Sequence, residues 1–166
     1  QIETVSIDAL LPDPANVRKH SNKNLDSIKA SLVTFGQQKP IVVNRDNVVI
    51  AGNGTFISAR ELGWKTISIV RTRLEGSDAT AFAIADNRTA ELAQWDDASL
   101  TEVLSALAIE DQDLALATGF DSDDLAKLVE ETTGVDAPSQ FDSFDESLPT
   151  DYKCPQCDYE WSGKPK

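Results

Sequence analysis

Scarcity narrows the field before any motif does. The chain has no methionine, one histidine (His20), two cysteines and 7% aromatic residues. With a single imidazole, no Ser-His or Cys-His catalytic pair is expected. No apolar run approaches the length of a membrane span. The N-terminus carries no basic-then-apolar leader and begins on Gln1 rather than Met, as a trimmed chain would. These absences predict a soluble, cytoplasmic protein with no membrane partner. Also missing is the basic stripe of a self-sufficient duplex binder.

What is present is unevenly spread. Of 166 residues 40% are hydrophobic, enough for one core domain plus a small appendage. The net charge of −13 is concentrated late. Residues 110–146 hold twelve acidic side chains against one base, Lys127. Residues 1–95 hold ten acidic and eleven basic ones, so the N-terminal body is near neutral. That body can bind a phosphate ligand, or DNA weakly, whereas the acidic part would repel a duplex.

Taken in order, residues 4–7 alternate as a first strand. Leu10-Leu11-Pro12-Asp13-Pro14 reads as a rigid extended turn, followed by a polar loop through Asn16, Arg18, Lys19 and His20. From Ser21 the period becomes helical, with Leu25, Ile28, Leu32 and Phe35 on one face and Gly36 as the stop. Residues 40–43 and 48–51 read as a hairpin turned by Arg45-Asp46-Asn47, and 66–70 as a further strand. A helix is expected over 79–93, capped by Ser77 or Asp78, with Ala81, Ile84, Ala85 and Leu92 inward. Beyond Asp97 the pattern is all-helical. An amphipathic helix over 98–107 is followed by a break at Thr118-Gly119-Phe120 and a last helix capped by Asp121 or Ser122. Residues 134–151 read as an acidic linker and 152–166 as a separate aromatic-rich knuckle.

The organising stretch is 48–60, VVIAGNGTFISAR. A short buried strand runs into Gly52-Asn53-Gly54, a turn that near-adjacent glycines make easily because Gly accepts positive φ. Thr55 then opens a helix closed by Gly63. Free N–H groups and the positive end of the helix dipole form an anion site there. The same residues also make a tight strand-to-helix connection with no ligand, and the turn alone does not choose between the two.

The order of motifs chooses more. Asn16-x-Arg18 in a Pro-flanked loop comes first, then a helix ending in Phe35-Gly36-Gln37 before Pro40-Ile41-Val42-Val43. Gly52-Asn53-Gly54-Thr55 follows, and Ala85-Asp86-Asn87-Arg88 lies within a later helix. This series resembles the ParB N-terminal domain of the ParB/sulfiredoxin superfamily. It is most similar to the phage and bacterial branch associated with DNA-modification enzymes. The likeness covers about residues 3–95, and Trp95-Asp96-Asp97 and Thr118-Gly119-Phe120-Asp121 continue in that branch's style. It implies an α+β ParB/sulfiredoxin-like domain over 1–95, with a small mixed sheet and flanking helices. A helical extension over 96–133, the acidic linker and a zinc-knuckle-like tail would follow.

By position, the resemblance implies that Gly52, Asn53, Gly54 and Thr55 contact a nucleoside triphosphate, with Asn16 and Arg18 on base, sugar or phosphate. Asp86 would serve catalysis, Asn87 would hold Mg²⁺, and Arg88 would hold phosphate. The donor types suit these roles, since carboxylate and amide oxygens suit Mg²⁺ and Arg suits phosphate. The family's usual turn is Gly-Glu-Arg-Arg. This turn has no arginine, and Arg60 lies a helical turn beyond Thr55, which leaves mainly backbone donors. Sulfiredoxin chemistry needs a cysteine in the turn, where Asn53 and Thr55 stand.

The resulting expectation is a nucleotide-binding domain, with NTPase or phosphoryl-transfer activity serving DNA modification or segregation in a bacterial or phage-infected cell. Two alternatives stay open. One is a non-catalytic adaptor that recruits a DNA-modifying enzyme, and the other a weak DNA-binding or nuclease-like module. Asp86 and Arg88 also read as plain exposed helix residues, and Arg18-Lys19-His20 as a solvated loop. Cys154 and Cys157 form a zinc half-site, with two of the four ligands a structural zinc needs. A homodimer would complete it. The same pair also reads as a spare dithiol in a tail.

Overall fold

The computed structural model describes residues 1–134 and, beyond them, 152–153, 155–157 and 160–161. The chain divides into two compact units, Gln1–Thr133 and Gly134–Lys166. The expected acidic linker lies almost wholly outside the described residues, as does Cys154.

The first unit is built on a mixed five-stranded sheet. Strand β1 (Ile2–Ser6) leads through a 3-10 turn (Ile7–Ala9) into β2 (Leu11–Pro12). Helix α1 (Asn22–Phe35) precedes the hairpin β3 (Ile41–Val43) and β4 (Val48–Ala51), and α2 (Asn53–Glu61) precedes β5 (Thr66–Arg71). The spatial order is β1-β5-β3-β4-β2. β1 and β5 are antiparallel, β3 and β5 parallel, β3 and β4 antiparallel, and β2 and β4 parallel. Leu11-Pro12, expected as a bare extended turn, thus supplies an edge strand. Proline is tolerated there because an edge strand leaves one row of N–H groups unneeded.

Local chemistry accounts for these elements. The Ser21 side chain accepts from the Asn24 N–H at the start of α1, and Gly36 (φ 67°) ends it. Asn44 Oδ1 accepts from the N–H groups of Asp46 and Val48, and Asn47 takes φ 63°, which tightens the hairpin. Gln37 pins the loop after α1 to β5, donating to Ser68 O (2.9 Å) and accepting from Ser68 N (2.8 Å). The core gathers Ile7, Leu10, Leu32, Ile41, Val43, Val49, Phe56, Ala59, Ile67 and Ile69. Of the face predicted for α1, Leu32 is buried, but Phe35, the last residue of the helix, is 41% exposed.

Helix α3 (Gly76–Leu92) packs on β4. Its orientation departs from expectation. Ala79 is buried, and Phe82, Ala83 and Asn87 are half-buried, whereas Ile84 and Leu92 are exposed at 50% and 63%. Alanines stand on two opposite faces of this helix, Ala79 and Ala83 on one and Ala81 and Ala85 on the other, so its apolar period is weak, and the small Ala79 and Ala83 side lets it approach the sheet. No side chain caps α3, so neither Ser77 nor Asp78 acts as expected. Three further helices follow: α4 (Asp97–Glu110), the short and unforeseen α5 (Gln112–Leu116), and α6 (Ser122–Thr133).

In the second unit, β6 (Tyr152–Lys153) and β7 (Glu160–Trp161) pair antiparallel on either side of the Cys-x-x-Cys segment. Cys157 is exposed.

Candidate functional site

The β4–α2 junction is the centre of the site. Gly52 takes φ 89°, and a Cβ there would sit 2.6 Å from Ile41 Cγ2, so both conformation and space require glycine. No side chain caps α2. Its first turn therefore leaves the N–H groups of Asn53, Gly54 and Thr55 as free donors. Gly54 has a different reason to be glycine. A Cβ on it would meet Ile28 Cδ1 at 2.8 Å and His20 Cε1 at 2.9 Å. Ser58, one turn on and fully buried, donates to Leu25 O at 3.3 Å. The Gly54–Ser58 side of α2 is thus where α1 comes close.

A cleft of about 190 Å³ opens above this junction. It is lined by Gly52, Asn53, Gly54 and Thr55 from the turn, by Asn16, Arg18 and His20 from the early loop, and by Asp86 and Asn87 from α3. Three segments far apart in sequence therefore meet. The outward-turned register of α3 does this, since the half-buried row ending in Asn87 faces β4 and the cleft.

The individual side chains carry specific duties. Asn16 Oδ1 accepts from Arg18 N at 3.0 Å and shapes the loop. Asn53 Nδ2 donates back to Val49 O at 3.3 Å. Asn87 Nδ2 donates to Ala83 O at 2.8 Å, which leaves Oδ1 as its unused polar atom. Asp86 is exposed at the rim. His20 Nδ1 pairs with Asn24 Oδ1 at 2.7 Å, which orients its ring over Gly54. Arg88 does not line the cleft. It stands in an adjoining groove of about 450 Å³ that shares Arg18 and Asn87 with it. Arg60 is directed elsewhere, lying 5.4 Å from the Phe56 ring centroid.

Electrostatically the arginines are engaged. Glu91 pairs with Arg18 at 2.5 Å and with Arg88 at 3.4 Å, and the two guanidinium groups, Arg18 first, hold its carboxyl below the usual range. Among the described residues no group of three His, Cys, Asp or Glu side chains could hold a metal ion. A Mg²⁺ ion bound with a triphosphate needs fewer protein donors, since it keeps waters and takes phosphate oxygens. Asp86 and the unused Asn87 Oδ1 fit that smaller demand.

Sequence reading missed His20, Ile28, Ile50 and Ala51 as parts of the cleft. Ile50 and Ala51 were legible only as strand residues. For His20, the available signal was its place immediately before the Ser21 cap, which fixes its ring at the start of α1.

No protein-family model matches this chain, and no curated protein matches it. Among solved structures it is similar to the C-terminally truncated chromosome-partitioning protein ParB from Caulobacter crescentus complexed with CTP-gamma-S. The TM-score is 0.68 at 17% identity, over 80% of this chain and 79% of that one. The Caulobacter crescentus protein complexed to the centromeric parS site gives a TM-score of 0.45 at 19% identity, over 77% and 70%. A pNOB8-like ParB N-domain gives 0.48 at 18%, over 79% and 57%. The fold is ParB-like. No helix among the described residues is long and apolar enough to cross a membrane.

Proposed function

We propose that this ParB-like unit binds a nucleoside triphosphate in the cleft between the glycine turn and α3, in the service of DNA modification or segregation. One observation carries the reading: the early loop, the α2 N-terminus and the Asp86-Asn87 step line a single cleft. A ParB of the same fold, complexed with CTP-gamma-S, supports it. The N–H groups of Asn53, Gly54 and Thr55 offer phosphate a set of fixed donors at the positive end of a helix. Arg18, lining both cleft and groove, supplies the charge that the turn lacks. Asp86 and Asn87 would hold Mg²⁺, which neutralises phosphate charge and polarises the P–O bonds. Asp86, exposed at the rim, is the group for any hydrolysis or phosphoryl transfer. Size bears on the pose. Pockets for ligands of this class run to roughly 300–1,000 Å³, so the cleft of about 190 Å³ needs the adjoining groove to seat the whole molecule.

The test is a thermal-shift screen of ATP, CTP, GTP and UTP with Mg²⁺. A ligand at 100 times its Kd stabilises by about 2.7 kcal/mol. One nucleotide should raise Tm clearly above the others. No shift with all four at millimolar concentration would sink the reading.

A second reading is favoured by the surface of the extension, where Val103, Ile109 and Leu116 are exposed at 56%, 88% and 43%. In it the extension is an adaptor that recruits a DNA-modifying partner, and no nucleotide changes Tm.

A further inference from the structure

Glu91 stands where the nucleotide reading has no use for it. We propose that it is an internal competitor for the anion: Glu91 holds Arg18 and Arg88 together in the groove beside the cleft, and a polyphosphate binds there by displacing it. The proposal rests on the reading of the cleft as a polyphosphate site.

Four observations carry it. First, each Glu91 oxygen takes a different arginine, Oε1 the Nη1 of Arg18 at 2.5 Å and Oε2 the Nη1 of Arg88 at 3.4 Å. One anion bridging two guanidinium groups is the arrangement a phosphate makes. Second, the groove is lined by three cations, Arg18, Lys19 and Arg88, and Glu91 is the one acid among its lining residues. Lys19 has no ion pair among the described residues. Third, Arg18, Glu91 and Arg88 are all solvent-exposed, at 41%, 47% and 61%. Exposed pairs are weak and readily exchanged, so the contact is a reversible clasp rather than a structural lock. Fourth, Glu91 is the penultimate residue of α3, at the negative end of the helix dipole. A carboxylate there opposes the dipole, and what offsets this is its two arginines, Arg88 one turn back on the same helix and Arg18 from the early loop.

The groove meets the cleft at Arg18 and Asn87. A phosphate chain running from the α2 N-terminus past Asn87 reaches Arg18, then Arg88. A polyphosphate carries more charge than a carboxylate and can meet both arginines and Lys19 at once. It therefore displaces Glu91, whereas a single weak anion does not.

Isothermal titration of the full chain with inorganic tripolyphosphate, and with the nucleoside triphosphates plus Mg²⁺, tests this. Glu91→Gln keeps the shape of the side chain and removes its charge. It should bind tripolyphosphate and nucleotide each about two- to tenfold tighter than the parent. The gain should vanish when Arg18→Ala is added. Unchanged or weaker tripolyphosphate binding by Glu91→Gln overturns the proposal, as does a gain confined to nucleotides. Circular dichroism verifies the fold of the variant, with Glu91→Ala as the second variant should amide packing intervene. A parent that binds nucleotide while Glu91→Gln shows no gain removes the clasp alone. Failure of both proteins to bind any of these anions removes the clasp and the nucleotide reading together.

Discussion

At the scale of single residues, two glycines separated by one residue answer to different forces. Gly52 and Gly54 were legible in the sequence as one loop motif with one rationale. In the fold, Gly52 is fixed by φ 89° and by Ile41, whose Cγ2 would lie 2.6 Å from an added Cβ. Gly54 is helical, and its close neighbours are the ends of the Ile28 and His20 side chains. Gly63 offers the contrast, with φ 77° and nothing within 4 Å. An L-residue in left-handed backbone costs about 1–2 kcal/mol, and overpacking adds about 1–3 kcal/mol. Gly52→Ala should therefore lower unfolding stability by about 2–5 kcal/mol, and Gly63→Ala by only about 1–2 kcal/mol. Urea denaturation of the two variants measures the difference, and equal losses would show that Ile41 yields freely. The place of His20 before the Ser21 cap was legible, but not that its ring covers Gly54, which only the α1–α2 approach reveals.

At the scale of elements, beyond Asp97 α4 was readable from its apolar period and α6 from its cap, whereas the five-residue α5 was not. Asp96 accepts from Ser99 N at 2.9 Å, and Asp111 accepts from the N–H groups of Asp113 and Leu114. Asp121 and Asp124 cap α6 reciprocally, each backbone N–H donating to the other's carboxylate. Lys23 of α1 reaches both, at 2.9 and 3.2 Å, and ties the last helix to the first. The Trp95 and Phe120 rings meet edge-on at 6.2 Å, which joins two segments that in sequence were only stylistic neighbours. What could not be read was the inward face of α3, because an alanine-rich helix leaves the period degenerate. The capping pair has a pH signature. The Asp124 backbone N–H, then Lys23, lowers the Asp121 carboxyl from 3.8 to about 2. A lowered carboxyl stabilises the fold fully above its unfolded value, and that contribution disappears as pH falls from about 4 to about 2. Asp121→Asn should thus melt below the parent at pH 7 and converge with it near pH 2. Thermal melts across that range check the sign, and a gap that persists in acid would refute the assignment to ionisation.

At the scale of the whole molecule, charge asymmetry was legible because it is a sum over composition. Sheet order was not. The β1-β5-β3-β4-β2 arrangement pairs strands about sixty residues apart, and no local period encodes a pairing of that range. The tail shows the same division between what is local and what is collective. Its Cys-x-x-Cys spacing and the short β6–β7 pair around it are local features. Zinc binding there would be a property of chain number, since Cys154 and Cys157 are the only cysteines and zinc takes four ligands. Two chains would complete one Cys₄ site, which gives a sharp stoichiometric expectation. Protein purified without chelator should carry about one zinc for every two chains. A strong chelator should remove it and halve the mass seen by sedimentation, because the same ion closes the site and joins the chains. Cys157→Ser should reproduce the chelated state without chelator. Protein free of zinc, or a monomer that retains one zinc per chain, would show that the knuckle does not bridge two copies.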